Sequence, residues 1–161
     1  MSSLPDPVAR VAAFLAEAKV EARLQEFPEG TGTAAEAAEA AGCRLDQIVK
    51  SLVFAHDGGF VLALVPGDKR ADRAKVAAAA GFEKAKVAGP DEVRQATGFE
   101  PGAVAPFALA TPLNVLVDRA LLVHDVVWIG AGSERHVAAL APADLVRLAR
   151  GRAADLAAEE G

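Results

Sequence analysis

A chain of 161 residues, 52% of them apolar and 24% charged, has one domain's length and can bury a core, which excludes wholesale disorder. Its net charge of −5 argues against a strongly basic nucleic-acid binder, and no apolar run reaches the roughly 18 residues that a membrane-crossing helix requires. The single cysteine, Cys43, excludes an intrachain disulfide and any multi-cysteine metal site, and a reducing cytoplasm is the expected setting.

The opening residues, Met1 to Asp6, lack a basic stretch followed by an apolar one, so no secretory signal is expected. Pro5 to Lys19 reads as a helix that Asp6 can cap, with Val8, Val11, Phe14 and Leu15 near helical spacing. Ala22 to Phe27 alternates as a short strand does, and Pro28 to Gly32 breaks the chain. Thr33 and Glu36 form a capping box for a helix that runs to about Ala41 and stops at Gly42. Ile48–Ala55 and Phe60–Val65 flank His56-Asp57-Gly58-Gly59, a β-hairpin signal. Both strands are apolar at nearly every position, so both of their faces should be covered.

Asp72 to Ala80 reads as a helix closed by Gly81, and Pro90-Asp91-Glu92 opens another that ends near Gly98. Gly98 to Pro112 has no periodicity but is apolar, which suits a functional loop better than a disordered one. Val115–Asp118, Val123–Ile129 and His136–Leu140 are expected strands. Pro142-Ala-Asp144 starts a last helix to Arg150, and 153–161 reads as a frayed tail. Hairpins mixed with helices indicate a single α+β domain over 1–161, with a mixed, largely antiparallel sheet flanked by helices.

The usual catalytic motifs are missing. There is no Gly-x-Ser-x-Gly elbow and no P-loop, and His56, His124 and His136 lie too far apart in sequence to suggest a metal site. Cys43, just after a predicted helix, suits a small buried residue better than a nucleophile. Absence of tyrosine and scarcity of other aromatics disfavour a base-stacking platform for single strands. Charge is nonetheless uneven. Residues 67–86 hold Lys69, Arg70, Arg73, Lys75, Lys84 and Lys86 against Asp68, Asp72 and Glu83, a stretch that can meet a few phosphates or form a solvated helix face.

Two features stand out. Lys50 interrupts an apolar strand, so it either snorkels to water at a sheet edge or points into a cavity that takes an anion. Gly102-Ala-Val-Ala-Pro106-Phe107 is either a plain turn or a nest of free amides able to hold an oxyanion, phosphate or carbonyl oxygen.

Val49-Lys50-Ser51-Leu52-Val53-Phe54, then Gly102 to Phe107, then Ala131-Gly-Ser-Glu-Arg-His136 before a Pro-Ala-Asp-Leu helix resembles the YbaK/prolyl-tRNA-synthetase-associated domain family. The resemblance runs from the Thr33 helix to Leu148. It implies a compact α+β fold and hydrolysis of mischarged tRNA(Pro) carrying a small amino acid: alanine, 2-aminobutyrate, cysteine, serine or threonine. No cofactor and no metal are implied. Lys50 and Gly102 match the catalytic positions, and Ala103, Val104, Ala105, Pro106 and Phe107 match the substrate loop. Ser133 and His136 match pocket-lining positions, with a purely structural His136 as the other reading. Relatives often carry Gly-Gly-x-x-Pro-x-Gly, so Ala103 and Ala108 depart from the pattern. Lys69, Arg70 and Arg73 become the expected tRNA contacts, and prolyl-tRNA synthetase a candidate partner. A non-catalytic module that binds tRNA or a synthetase, and a domain binding a small acid at Gly102, are the competing readings; oligomeric state is not legible.

Overall fold

The computed structural model describes residues 4–27 and 33–159. Its elements in chain order are α1 (Asp6–Ala18), β1 (Arg23–Glu26), α2 (Ala34–Ala41), β2 (Val49–His56), β3 (Gly59–Pro66), α3 (Arg73–Ala80), β4 (Lys86–Val87), α4 (Pro90–Thr97), β5 (Asn114–Asp118), β6 (Val127–Ser133), β7 (His136–Leu140), α5 (Pro142–Ala149) and β8 (Gly151–Ala154). Short 3-10 turns, Leu45–Gln47 and Arg119–Val123, precede β2 and follow β5. The fold is α+β, and no helix among the described residues is long and apolar enough to cross a membrane.

The strands divide between two sheets rather than one. Five join in the order β4-β2-β3-β5-β8, and three join as β1-β7-β6. Four pairings are antiparallel and two, β3 with β5 and β5 with β8, are parallel. The sheets touch where Ile48, just before β2, bridges Trp128 of β6.

Period-2 alternation sorts the side chains. Val49 and Val53 of β2 and Leu62 and Leu64 of β3 face the main core, with Ile129 of β6, Leu140 of β7 and Leu15 of α1. Phe54, Val61, Ala63 and Val65 face the opposite way, against Val76 of α3. Every position of β3 from Val61 to Pro66 is therefore buried, as expected of a strand covered on both faces.

Local signals behave as read. Thr33 Oγ accepts from the Glu36 amide at 3.1 Å and donates to the Glu36 carboxylate at 3.0 Å, and α2 ends at Gly42 with φ +69°. Asp72 caps α3 through the amides of Ala74 and Lys75. Three expectations need correction. Asp6 sits inside the first turn of α1 and makes no cap; Pro5 holds the N-cap position. Residues 123–126 are not strand: Val123 is 80% exposed at the end of the 3-10 turn, and β6 begins only at Val127. The tail is anchored rather than frayed at 153–159. Gly151–Ala154 adds to β5 as β8, Leu156 is fully buried, its carbonyl accepts from Asp72 N–H at 2.8 Å, and Lys75 Nζ donates to the Ala157 carbonyl at 2.8 Å. The break read at Pro28–Gly32 lies outside the described residues.

Asp118, at the end of β5, is buried near the backbone amides of Ala120, Leu156 and Arg119. Its burial pushes the carboxyl above the ordinary carboxylate range, against the pull of those donors, and its Oδ2 has no hydrogen-bond partner. A carboxyl whose folded-state pKa is raised stabilises the fold below its unfolded value of about 3.9, and that contribution is lost as pH rises through the folded value. Asp118→Asn keeps an amide acceptor and cannot ionise. Urea unfolding from acid to neutral pH should therefore show the variant gaining on the wild type as pH rises; a constant difference would mean that Asp118 titrates alike in both states.

Candidate active site

A cleft of about 310 Å³ opens between α2, the start of β2, the β6–β7 turn and the segment joining α4 to β5. Lys50, Gly102, Val104, Ser133 and His136 all line it. Those five come from three stretches of chain that the sequence keeps far apart.

Lys50 lies on β2 opposite Val65. The outer neighbour β4 pairs only with Phe54 and Ala55, so it stops short of Lys50. The half-buried side chain forms part of the cleft wall, and its ammonium donates to the Lys69 carbonyl at the rim. Burial lowers its pKa below the ordinary ammonium value; nearby Asp68 opposes that shift and Arg70 adds to it. The ammonium thus ends on a main-chain carbonyl, while Lys50 is among the residues that line the cleft.

Gly102 takes φ +83°, a conformation glycine adopts without strain, in a turn closed by the Ala103 amide donating to the Glu100 carbonyl at 2.9 Å. The cradle expected over Gly102–Pro106 is therefore smaller. Ala103 spends its amide on the turn and Pro106 has none, while the amides of Gly102, Val104 and Ala105 make no backbone hydrogen bond among the described residues. Val104 reaches the cleft, whereas Ala103, Ala105, Pro106 and Phe107 are buried behind it. Phe107 stacks on Phe14 of α1 at 4.8 Å, in the core and away from the cleft. Of the loop positions expected to touch substrate, only Gly102 and Val104 line the cleft.

Neighbours hold this segment in place. The Thr97 hydroxyl accepts from the Phe99 amide at 3.0 Å and donates to the Val93 carbonyl at 2.7 Å. Arg10 of α1 donates to the carbonyls of Ala108 and Gly98 and lies 4.5 Å over the Phe99 ring. Beneath runs β6, where a Cβ at Gly130 would come 2.8 Å from the Val104 carbonyl, so only glycine permits that approach.

In the β6–β7 turn, Ser133 Oγ lies 2.7 Å from His136 Nδ1 and accepts from the Arg135 amide at 3.0 Å. His136 is 3% exposed, and its Nε2 lies 3.4 Å from the Glu26 carboxylate on β1. Arg70 and Arg73 are exposed and Lys69 half-buried on the stretch that follows β3, where the Lys69 carbonyl meets Lys50; none of the three lines the cleft. The rest of the basic run is elsewhere. Lys75 pairs with Asp155, and Lys84 and Lys86 sit near the β2–β3 hairpin tip, where His56 stacks on Phe82. His124 meets Arg44 and Asp46, outside the cleft. Cys43 is half-buried, and burial raises its thiol pKa, which suits packing rather than nucleophilic attack.

Sequence reasoning missed Glu26, Thr33 and Ser51 as site residues. Thr33 and Ser51 line the cleft, and Ser51 Oγ is buried there without a partner. Serine directly after the odd lysine was a visible signal for the last; Glu26 had none, because only the β1–β7 register sets it opposite His136.

The family model described as the aminoacyl-tRNA editing domain matches residues 28–148. The uncharacterized protein YwhH of Bacillus subtilis is 37% identical over 121 residues, covering 74% of this chain and 76% of that protein. The proline–tRNA ligase of Xanthomonas campestris is 37% identical over 87 residues, 54% of this chain but only 15% of the ligase. Among solved structures, a candidate trans-editing enzyme for prolyl-tRNA synthetase superposes with a TM-score of 0.90 at 37% identity, covering 98% of this chain and all of the other. The hypothetical protein APE2540 gives 0.86 at 31% identity, with 92% and 99% covered.

Ala108 occupies the left-handed region at φ 56°, where a side chain is strained. Ala103 has no positive φ, so its departure from the glycine pattern costs no such strain. Ala108→Gly should raise stability by about 0.5–1 kcal/mol, after glycine's larger unfolded-state entropy is offset, seen as a higher urea midpoint. An unchanged or lower midpoint would count against this backbone geometry.

Proposed function

Because the chain belongs to the aminoacyl-tRNA editing domain family, we propose that it acts in trans as a deacylase that hydrolyses the ester of a small, wrong amino acid on tRNA(Pro). The observation that carries this reading is the meeting of Lys50 and the Gly102 turn in one cleft. An ester is already activated, so attack by water with a stabilised oxyanion suffices. The amides of Gly102 and Val104, the loop residues that line the cleft, hold the carbonyl oxygen as it gains charge; a lost donor of this kind costs about 2.7–4 kcal/mol. Lys50 exchanges the Lys69 carbonyl for a phosphate or ribose oxygen of the terminal adenosine, a stronger, charge-assisted partner. The role needs positive charge and placement, not a base.

The cleft supplies a second sieve. A synthetase pocket sized for proline cannot strongly reject something smaller, since one methylene is worth about 1–3 kcal/mol. Val104, Ile48 and Ile129 line the cleft with apolar wall that admits a small side chain. The Xanthomonas campestris prolyl-tRNA ligase carries the matching region as 15% of its length, so a protein working apart from such a ligase must grip tRNA itself. Lys69, Arg70 and Arg73, on the stretch after β3 whose Lys69 carbonyl meets Lys50, give weak, salt-sensitive contact with the acceptor stem. The reaction belongs in the cytoplasm, where charged tRNA is consumed, and prolyl-tRNA synthetase is the natural partner.

A deacylation panel tests this reading: tRNA(Pro) charged separately with alanine, 2-aminobutyrate, cysteine, serine or threonine, with prolyl-tRNA(Pro) as control. At least one small amino acid should be released and proline spared. Lys50→Ala should lower kcat/KM by about 10- to 100-fold, the worth of one charge-assisted hydrogen bond. Full activity in that variant would favour a binding module with its chemistry elsewhere. In a separate measurement, reversing the charges at Lys69, Arg70 and Arg73 should raise KM and flatten its dependence on salt. Rates indifferent to both would remove any role for those residues.

A further inference from the structure

The outer edge of β2 is covered at its two ends and open between them. At one end Ile48 bridges Trp128 of β6, and at the other Phe54 and Ala55 pair with β4. Among the described residues, no strand pairs with Lys50, Ser51 or Leu52 on that side. Hydrogen bonds on either side of the gap show which residue faces it. The Ile48 carbonyl accepts from the Gly67 amide, on the β3 side, at 2.8 Å, whereas the Val53 carbonyl accepts from the Ala88 amide, on the β4 side, at 2.9 Å. Main-chain groups alternate between the two edges of a strand, so Ser51, two residues before Val53, turns its amide and carbonyl to the open edge. The cleft lies at this gap, lined by Ile48, Lys50, Ser51 and Leu52 from β2 and its approach and by Trp128 and Ile129 of β6.

The side chain of Ser51 belongs to the same wall. Side chains two residues apart share a face, so Ser51 stands with Val49 and Val53, which pack in the core that also holds Val104 and Ile129. Its Oγ is buried without a hydrogen-bond partner. The other hydroxyls and the ammonium of the cleft are engaged: Thr33 with Glu36, Ser133 with His136, and Lys50 with the Lys69 carbonyl. A buried hydroxyl left unpaired costs about 1–3 kcal/mol. Because Oγ makes no hydrogen bond, a rotation about χ1 toward a bound group breaks none.

We propose that Ser51 is the specificity-determining residue of the cleft, its hydroxyl selecting an aminoacyl group whose side chain carries a hydroxyl, serine or threonine, over one of the same size that lacks it. The inference rests on the deacylase reading for the ester and narrows its substrate class. A substrate hydroxyl entering an apolar wall loses its water, and Ser51 Oγ supplies the partner that replaces it, as donor or acceptor. An aliphatic side chain of equal size leaves Oγ unpaired. A site built around a substrate hydroxyl discriminates more sharply than one that measures a methylene. Attack by water is unaffected, because Ser51 meets the side chain of the amino acid and not its ester.

Matched pairs on tRNA(Pro) test this: seryl against 2-aminobutyryl, and threonyl against valyl, each pair nearly equal in size and different by one hydroxyl. Wild type should deacylate the hydroxylated member with kcat/KM about 10- to 100-fold higher, and Ser51→Ala should bring both ratios to within about threefold of one by slowing the hydroxylated members. The urea midpoint of the variant should not fall; a fall would assign Oγ to the fold and overturn the inference. Ratios near one in wild type, or ratios that Ser51→Ala leaves in place, overturn it with the deacylase reading intact. An equal loss on all four substrates also overturns it, by placing Ser51 at a part of the substrate that they share. Should wild type release no amino acid, the deacylase reading falls, and NMR titration with 3′-aminoacylamino-3′-deoxyadenosine 5′-phosphates of the same four amino acids, whose amide resists hydrolysis, decides the inference separately. Tighter binding of the seryl and threonyl compounds that is lost in Ser51→Ala upholds it, and equal binding of all four overturns it.

Discussion

The cleft depends on a segment without regular secondary structure being held rigid against an apolar core. Between α4 and β5 the backbone pairs with itself only at the Glu100–Ala103 turn among the described residues, and buried amides and carbonyls left unpaired would each cost about 1–3 kcal/mol. Side chains from outside the segment meet that demand. Arg10 reaches across from α1 to two carbonyls, Thr97 answers the Phe99 amide, and Thr111 donates to the Ala96 carbonyl at 2.8 Å. With those ends satisfied, Phe99 and Phe107 bury their rings, and the amides near Gly102 remain available to the cleft. The smooth approach of β6 at Gly130 completes the support.

Charge is arranged for local work. A chain of net −5 keeps one half-buried cation, Lys50, among the residues that line the cleft. The Lys69 carbonyl satisfies the Lys50 head without neutralising it, so the cation keeps its appetite for an anion while burial lowers its pKa. An intimate carboxylate partner would have stabilised the ammonium more and left it less to offer a phosphate. Two acidic groups flank the β6–β7 turn, Glu26 beside His136 and Glu134 near Gly102.

Family membership and the geometry bear on different questions. Similarity to ligase segments and to a candidate trans-editing structure fixes the kind of domain. Which groups do chemistry is a matter of the cleft, where Phe107 proves to be core and Glu26 proves to be a neighbour of His136. A motif match carries residues over by position, whereas burial decides which of them can touch a ligand.

Much of the fold was legible because its signals are local. Caps at Thr33 and Asp72, stops at Gly42 and Gly81, and the Asp57-Gly58 hairpin turn each involve a few neighbouring residues, so short-range sterics and hydrogen bonding dictate them. Lys50, Gly102, Ser133 and His136 were legible as odd polar or flexible residues in apolar surroundings, or through the family pattern. What tertiary structure alone decided is which strands share a sheet, that β8 and the buried Leu156 turn the tail into core, and that Glu26 stands opposite His136. Those outcomes rest on partners more than a hundred residues apart in some cases, as Glu26 and His136 are, and a side chain's own neighbourhood in the chain carries no record of which distant strand will cover it.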